Sequence, residues 1–89
     1  MIRKEISIIN KLGLHARAAA KFVTMASVFD CTIHLVKGER KVNGKSIMGV
    51  MMLAAACGSR LEIIAEGADE YQAVTMLEEL VMKRFGEEE

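Results

Sequence analysis

The sequence predicts an α+β fold in which helices cover one face of a four-stranded antiparallel sheet. Its 89 residues, 52% of them hydrophobic and 27% charged, suffice for one compact domain over residues 1–89. Segments with apolar residues at every second position alternate with segments of helical period, in the order β-α-β-β-α-β-α. Amphipathic helices packed on such a sheet make a domain of two layers.

The first strand and the first helix are predicted from the first third of the chain. In residues 2–8, isoleucines alternate with polar side chains, as in a half-buried strand. The alternation ends at residues 10–14, a segment that contains Gly13. Alanine-rich sequence follows, and its apolar positions, with Phe22 among them, recur at helical spacing, so a helix is expected over residues 16–27.

A hairpin is predicted in the middle of the chain. Residues 32–36 and 40–43 have the composition of short strands and are separated by three residues that include Gly38. This spacing suits a hairpin, so the second and third strands are expected to be antiparallel neighbours.

A short helix and the fourth strand are predicted next. Ser46 can cap a helix that runs to about Leu53, and Gly58 is placed to end that segment. Residues 61–66 then form an apolar segment typical of a strand.

The last helix is predicted over residues 70–84, where apolar residues repeat at helical spacing. Asp69 followed by Gln72 resembles a capping box at its start. A charged end, Glu87–Glu89, follows the helix.

The composition excludes several classes of function. Twelve Lys and Arg balance twelve Asp and Glu, which argues against a general nucleic-acid-binding role. The amino-terminal residues lack the pattern of a secretory signal, and no apolar run approaches the roughly 18 residues of a membrane span, so we expect a cytoplasmic protein without direct membrane insertion. Cys31 and Cys57 fit neither a disulfide framework nor a metal or redox motif, and we interpret both as reduced core residues.

The segment Gly13–Arg17 is the most informative one for function. It places His15 at the junction between a turn that contains glycine and the start of a helix. The first helical N–H groups, those of residues 16–18, lack intrahelical partners, and together with the helix dipole they favour a bound phosphate. Histidine is not a preferred helix cap, so an anion can complete the cap instead.

The side chains of His15 and Arg17 have the chemistry that reversible phosphorylation needs. The positive field at the helix start favours the uncharged imidazole, which can attack phosphorus. The guanidinium can neutralise phosphoryl oxygens through paired hydrogen bonds in the transition state and in the product. Taken alone, each residue is more often a solvated surface side chain, and position does not decide between the two interpretations.

Three segments, Gly13–Arg17, Lys45–Met51 and Glu66–Glu70, carry a resemblance to a known family. The first resembles the phosphorylation site of the histidine-containing phosphocarrier protein HPr of the bacterial phosphoenolpyruvate:sugar phosphotransferase system. The second resembles the segment around that family's regulatory serine, and the third resembles the turn into its last helix. Order and spacing match, and the resemblance covers essentially the whole chain. One departure is Ala18, where the family usually has proline.

The resemblance implies a phosphoryl carrier for sugar transport rather than an enzyme. His15 would accept the phosphoryl group on Nδ1 as a pros-phosphohistidine, Arg17 would be its phosphate partner, and the backbone of Ala16 and Arg17 would bind phosphate. Enzyme I would be the donor, and enzyme IIA proteins or domains would be the acceptors. The implied fold is an open-faced sandwich of four antiparallel strands covered by three helices. Neither a cofactor nor a metal is implied.

The second segment indicates regulation and docking. By local sequence Ser46 is a helix cap, and by resemblance it is a site for a regulatory kinase, the HPr kinase/phosphorylase; both interpretations can hold together. The helix that follows is too apolar for one buried stripe, so Ile47, Met48 and Met51 are candidates for partner contacts. The alternative is that most of this stretch is core. His34, in a strand, is interpreted as structural or surface.

Two alternatives stay open from the sequence. A nitrogen-branch or purely regulatory paralogue is the nearest alternative, because the His15 motif does not identify the enzyme I or the enzyme IIA that the protein serves. A small α+β ligand-binding or interaction module explains the element order, but it leaves Gly13–Arg17 and Lys45–Met51 without a purpose.

Overall fold

A four-stranded antiparallel sheet forms the centre of the structure, a computed structural model that describes residues 1–89. Its strands are β1 (Ile2–Ser7), β2 (Thr32–Lys37), β3 (Arg40–Asn43) and β4 (Arg60–Glu66), in the spatial order β1-β4-β2-β3. The helices are α1 (Ala16–Ala26), α2 (Ile47–Met52) and α3 (Glu70–Met82), and a 3₁₀ turn (Arg84–Gly86) follows α3. The predicted fold class, element order and β2–β3 hairpin are confirmed.

The core lies between the sheet and the helices, as the alternation of apolar residues predicts. Across the strands, Ile6 pairs with Leu61 and Leu35 pairs with Ile63, and all four side chains are buried. The helices cover them with their buried positions, which are Ala18, Ala19, Phe22 and Ala26 of α1 and Ala73, Val74, Leu77 and Val81 of α3. Removing this apolar surface from water is the main stabilising contribution to the fold. No helix has the length and apolar character needed to cross a membrane.

The start of α3 differs from its prediction. Asp69 makes no side-chain capping bond; its carboxylate instead accepts from the N–H groups of Asp30 at 2.8 Å and Cys31 at 2.9 Å. The predicted Asp69–Gln72 capping box was therefore wrong. A tertiary contact with the segment before β2 takes the carboxylate that the local pattern assigned to the cap, and this contact ties α3 to β2.

We expect Asp69→Asn to destabilise the fold at neutral pH and to have little effect in acid. The hydrogen bond from the Asp30 N–H, together with those from Cys31, holds the pKa of Asp69 below its ordinary value. Such a carboxylate contributes stability that is complete above its unfolded-state pKa and is lost as the pH falls through its folded-state pKa. Urea unfolding, measured from neutral pH down through the folded-state pKa of Asp69, tests this expectation. Asp30→Asn is the control, because it makes the same change of charge. A loss of stability in Asp69→Asn that is the same at every pH would contradict a stabilising role of the ionised Asp69 carboxylate.

The two cysteines lie in different environments. Cys31 is buried as predicted, and burial raises the pKa of its thiol to about 11. Cys57 is exposed in the turn between α2 and β4, where its thiol donates to the carbonyl of Ile9. The prediction that both are core residues was wrong for Cys57, because this connecting turn runs over the surface. Both thiols are free.

Candidate functional site

His15 occupies the N-cap position of α1. Its backbone is extended, its carbonyl accepts from the N–H of Ala19 at 2.8 Å, and its imidazole makes no capping bond. The N–H groups of residues 16–18 donate to no backbone acceptor. Free donors and the positive end of the helix dipole therefore lie beside the imidazole, an arrangement that favours an anion.

Arg17 lines the same surface cavity as His15. The cavity has a volume of about 710 Å³ and is also lined by Lys11. Arg17 is exposed, and its guanidinium forms no ion pair within the protein. The guanidinium is therefore available to an anion that enters the cavity beside His15.

The packing of two loops fixes the backbone that leads into His15. Gly13 has a φ of +70°, and a Cβ at this position would lie 2.6 Å from the carbonyl oxygen of Ala55. The N–H of Leu14 donates to that same oxygen at 2.8 Å. A side chain at position 13 would force the loops apart, so glycine is required at this position, two residues before His15.

The carboxyl-terminal residues reach the same cavity, which the sequence did not indicate. The chain reverses after α3 through Arg84, Phe85 and Gly86, which have φ values of +57°, +55° and +80°. Phe85 is 1% exposed and anchors this turn in the core, and Lys21 of α1 donates to its carbonyl at 2.6 Å. Two non-glycine residues in the left-handed region are sterically unfavourable, so burial of the phenyl ring must offset their cost.

Glu87 follows this turn and contacts His15. Its Oε2 forms a hydrogen bond with Nε2 of His15, and its Oε1 accepts from Nδ2 of Asn10 at 2.9 Å. Asn10 has no exposed surface and also donates to the carbonyl of Gly13 at 2.8 Å. The hydrogen bonds from Asn10 and then from His15 hold the pKa of Glu87 below its ordinary value, so its carboxylate is ionised at neutral pH.

Helix α2 has a defined cap at each end. The Oγ of Ser46 accepts from the N–H of Gly49 at 3.2 Å, which confirms the predicted cap. At the other end, Arg40 donates to the carbonyl of Met52, the last residue of α2, at 2.6 Å. Lys37 donates to the carbonyls of Leu53 and Ala54, which follow. Cationic side chains complement the carboxyl-terminal end of a helix, so this six-residue helix is held from both ends.

An apolar surface, which we call the methionine patch, covers the outside of α2. Its four residues are exposed by 42% to 71% of their surface and are Ile47, Met48, Met51 and Met52. Val50 and Leu53 of the same stretch are buried. The prediction that part of this apolar segment stays exposed is confirmed, and a role in partner contacts stays a prediction for Ile47, Met48 and Met51.

His34, the other histidine, lies outside the cavity. It is partly buried in β2, where its neighbours across the sheet are Asn43 and Ile64. No group of three or more His, Cys, Asp or Glu side chains is arranged to hold a metal ion. The residues that line the cavity include His15, Arg17 and Glu87, and the free N–H groups of α1 lie beside it.

Comparison with known proteins identifies the family. A sequence model described as the phosphorylation site of the HPr component of the phosphotransferase system matches residues 2–83. The chain belongs to the HPr family. The phosphocarrier protein HPr of Neisseria meningitidis is 52% identical over the full length of both chains, and that of Treponema pallidum is 49% identical over 99% of this chain and 100% of its own.

A solved HPr structure has the same fold. The crystal structure of HPr-C-His from Thermoanaerobacter tengcongensis matches with a TM-score of 0.97 and 47% identity, over 100% of both chains. The family and the fold predicted from the sequence are confirmed. The relatives are phosphocarrier proteins, and at this level the predicted function is confirmed as well.

Ala18, where the HPr pattern usually has proline, causes no break in α1. The residue lies in the first turn of the helix and has no exposed surface. Proline favours a first turn because its φ is preset, whereas alanine keeps an N–H donor there. The substitution therefore preserves the helix start and adds one backbone donor next to the site.

Proposed function

We propose that the chain, as one phosphocarrier domain over residues 1–89, accepts a phosphoryl group from enzyme I and passes it to an enzyme IIA protein or domain in the cytoplasm. The acceptor atom is Nδ1 of His15. The protein is then a substrate in a relay rather than an enzyme. The observation that carries the proposal is the placement of an N-cap imidazole, unpartnered helical N–H groups and a free Arg17 guanidinium around one cavity.

The environment of His15 suits the reversible transfer of a phosphoryl group. Nδ1 makes no hydrogen bond within the protein, so its lone pair is accessible when the ring is neutral. The N–H groups of Ala16 and Arg17 and the guanidinium of Arg17 bind the phosphoryl oxygens. Because these groups are in place before the reaction, they stabilise charge as it develops on the transferring group.

The methionine patch is the surface on which we expect partners to dock. It is apolar, exposed and built from flexible side chains, which can adapt to enzyme I and to enzyme IIA in turn. Helix α1 packs against α2, so the patch and His15 belong to neighbouring elements. A partner that covers both excludes water from the phosphoryl group as it moves.

Incubation with enzyme I, Mg²⁺ and radiolabelled phosphoenolpyruvate tests the proposal. We expect a label that is labile in acid and stable in base, as phosphohistidine is, and its loss from the protein when an enzyme IIA is added. Absence of label with enzymes I from several bacteria that carry HPr proteins would contradict the proposal.

Ser46→Asp is expected to leave α2 folded and to weaken the reaction with enzyme I severalfold. Aspartate caps helices as well as serine does, and its charge complements the helix dipole. The same charge lies at the edge of the apolar methionine patch, where it opposes docking of a partner that carries an anionic phosphoryl group. The measurement is the dependence of His15 phosphorylation on enzyme I concentration, together with thermal unfolding.

Ser46→Ala is the matched comparison, because it removes the cap without adding charge. It should lower thermal stability, by about 1 kcal/mol, and leave phosphorylation kinetics close to those of the parent. Equal kinetics for Ser46→Asp and Ser46→Ala would remove Ser46 from regulation by the proposed kinase, the HPr kinase/phosphorylase.

A further inference from the structure

The carboxylate of Glu87 is held between a buried amide and the imidazole of His15. Oε1 bonds to Asn10 and Oε2 bonds to His15, so both oxygens are used. Only 14% of the Glu87 side chain is exposed, although only two residues follow it in the sequence. The carboxylate is thus oriented by the protein rather than by solvent.

Asn10 orients the Glu87 carboxylate, although this leaves the side-chain oxygen of Asn10 without a partner. Its Nδ2 faces two acceptors, Glu87 Oε1 and the Gly13 carbonyl, which fixes the amide orientation. Its Oδ1 is buried and has no hydrogen-bond partner. An unpartnered buried acceptor is unfavourable and rare in native proteins, which points to a function for the contact that requires it.

Other contacts already hold the carboxyl-terminal segment in place. Phe85 is buried, and its carbonyl accepts from Lys21. Lys11 donates its N–H to the carbonyl of Glu89 at 2.6 Å and pairs with the Glu89 side chain at 3.2 Å. Because the segment is fixed on both sides of Glu87, anchoring does not explain why Glu87 bonds to the imidazole.

The Glu87 carboxylate determines which ring nitrogen of His15 carries the proton. An ionised carboxylate can only accept hydrogen bonds, so Nε2 of His15 is the donor. In the neutral ring Nδ1 then has no proton and carries the free lone pair. A carboxylate that fixes the tautomer of a histidine in this way is a known device of catalytic triads.

We propose that Glu87 is a positioning residue for the phosphorylation of His15, which fixes the imidazole with its proton on Nε2 and balances the charge that the ring acquires. The inference rests on the proposed function. Glu87 contacts Nε2 of His15 and acts through the ring on Nδ1, the proposed acceptor atom.

The step is balanced without a further reactant. The Nδ1 lone pair forms the bond to phosphorus while the bond between phosphorus and the donor atom breaks, and that electron pair leaves with the donor. No proton leaves Nδ1, and Nε2 keeps its own. The ring therefore gains a positive charge, which the Glu87 carboxylate stabilises across the hydrogen bond. Return of the phosphoryl group to an acceptor reverses each change.

Glu87→Gln tests the inference in the full chain. The amide keeps the shape of the side chain but has no charge, and it can accept from Nε2 or donate to it, so the tautomer is no longer fixed. Glu88→Gln is the control, because it makes the same charge change one residue along, and Glu88 forms no ion pair. Two readouts are needed: ¹⁵N NMR of the two ring nitrogens of His15 without any partner, and the rate of phosphorylation by enzyme I.

In the parent and in Glu88→Gln we expect the proton on Nε2 and equal rates. In Glu87→Gln we expect a population with the proton on Nδ1 and a rate about tenfold lower, as for the loss of one charge-assisted hydrogen bond. A parent ring with its proton on Nδ1, or a Glu87→Gln variant that changes only one of the two readouts or neither, overturns the inference and leaves the proposed function standing. A parent that accepts no phosphoryl group overturns the proposed function itself.

Discussion

His15→Ala is expected to abolish phosphoryl acceptance and to leave the fold intact. The substitution removes the only imidazole that lines the cavity, and with it the nitrogen that we propose as the acceptor. The imidazole makes no capping bond and is partly exposed, so the domain should stay folded, with a lower free energy of unfolding because the Glu87 carboxylate loses its hydrogen bond from Nε2. Labelling from phosphoenolpyruvate through enzyme I and urea unfolding measure the two effects separately.

His34→Ala is the control for His15→Ala, because the chain contains two histidines and His34 lies in β2 outside the cavity. We expect parent-like labelling of this variant. Labelling of His15→Ala near the parent level would identify another acceptor, and loss of label in His34→Ala without unfolding would move the site away from α1.

Arg17→Ala is expected to slow phosphoryl transfer by about a hundredfold without loss of stability. The helical N–H groups remain in place, so acceptance should continue, but the charge-assisted contacts of the guanidinium with the transition state are lost. The residue is exposed and forms no ion pair, so the fold does not depend on it. Rapid-quench kinetics at saturating enzyme I measure the change in the transfer step.

Two further variants define what Arg17 contributes. Arg17→Lys keeps the charge but not the paired geometry, and it should be intermediate in rate. Arg3→Ala removes an arginine that pairs with Glu62 on the sheet, and it should transfer at the parent rate. A parent rate in Arg17→Ala would show that the backbone donors suffice and that Arg17 is a bystander.

The sequence predicts most of the fold because each element has a strong local signal. The alternation in β1, the helical repeat with Phe22 in α1 and the glycine between β2 and β3 all agree with the structure. The cap at Ser46 was also predictable, because a serine before an apolar helical stretch needs no distant partner to act. His15 and Arg17 could be selected as candidates because their chemistry depends on the helix start beside them.

The features that the sequence did not predict depend on contacts between distant residues. Asp69 bonds to the chain before β2, which no local pattern indicates. Glu87 reaches His15 because Phe85 is buried and the intervening chain turns through left-handed conformations. A short glutamate run has the composition of a solvated segment, so the contact between Glu87 and His15 is visible only in three dimensions.

Locating the phosphoryl group on the intact protein tests the central claim most directly. The protein is labelled uniformly with ¹⁵N, phosphorylated by enzyme I and phosphoenolpyruvate, and examined by NMR for coupling between phosphorus and the ring nitrogens of the two histidines. We expect one phosphorus, bonded to Nδ1 of His15, with Nε2 still protonated. A phosphorus bonded to Nε2, to His34 or to an oxygen of any side chain would contradict it.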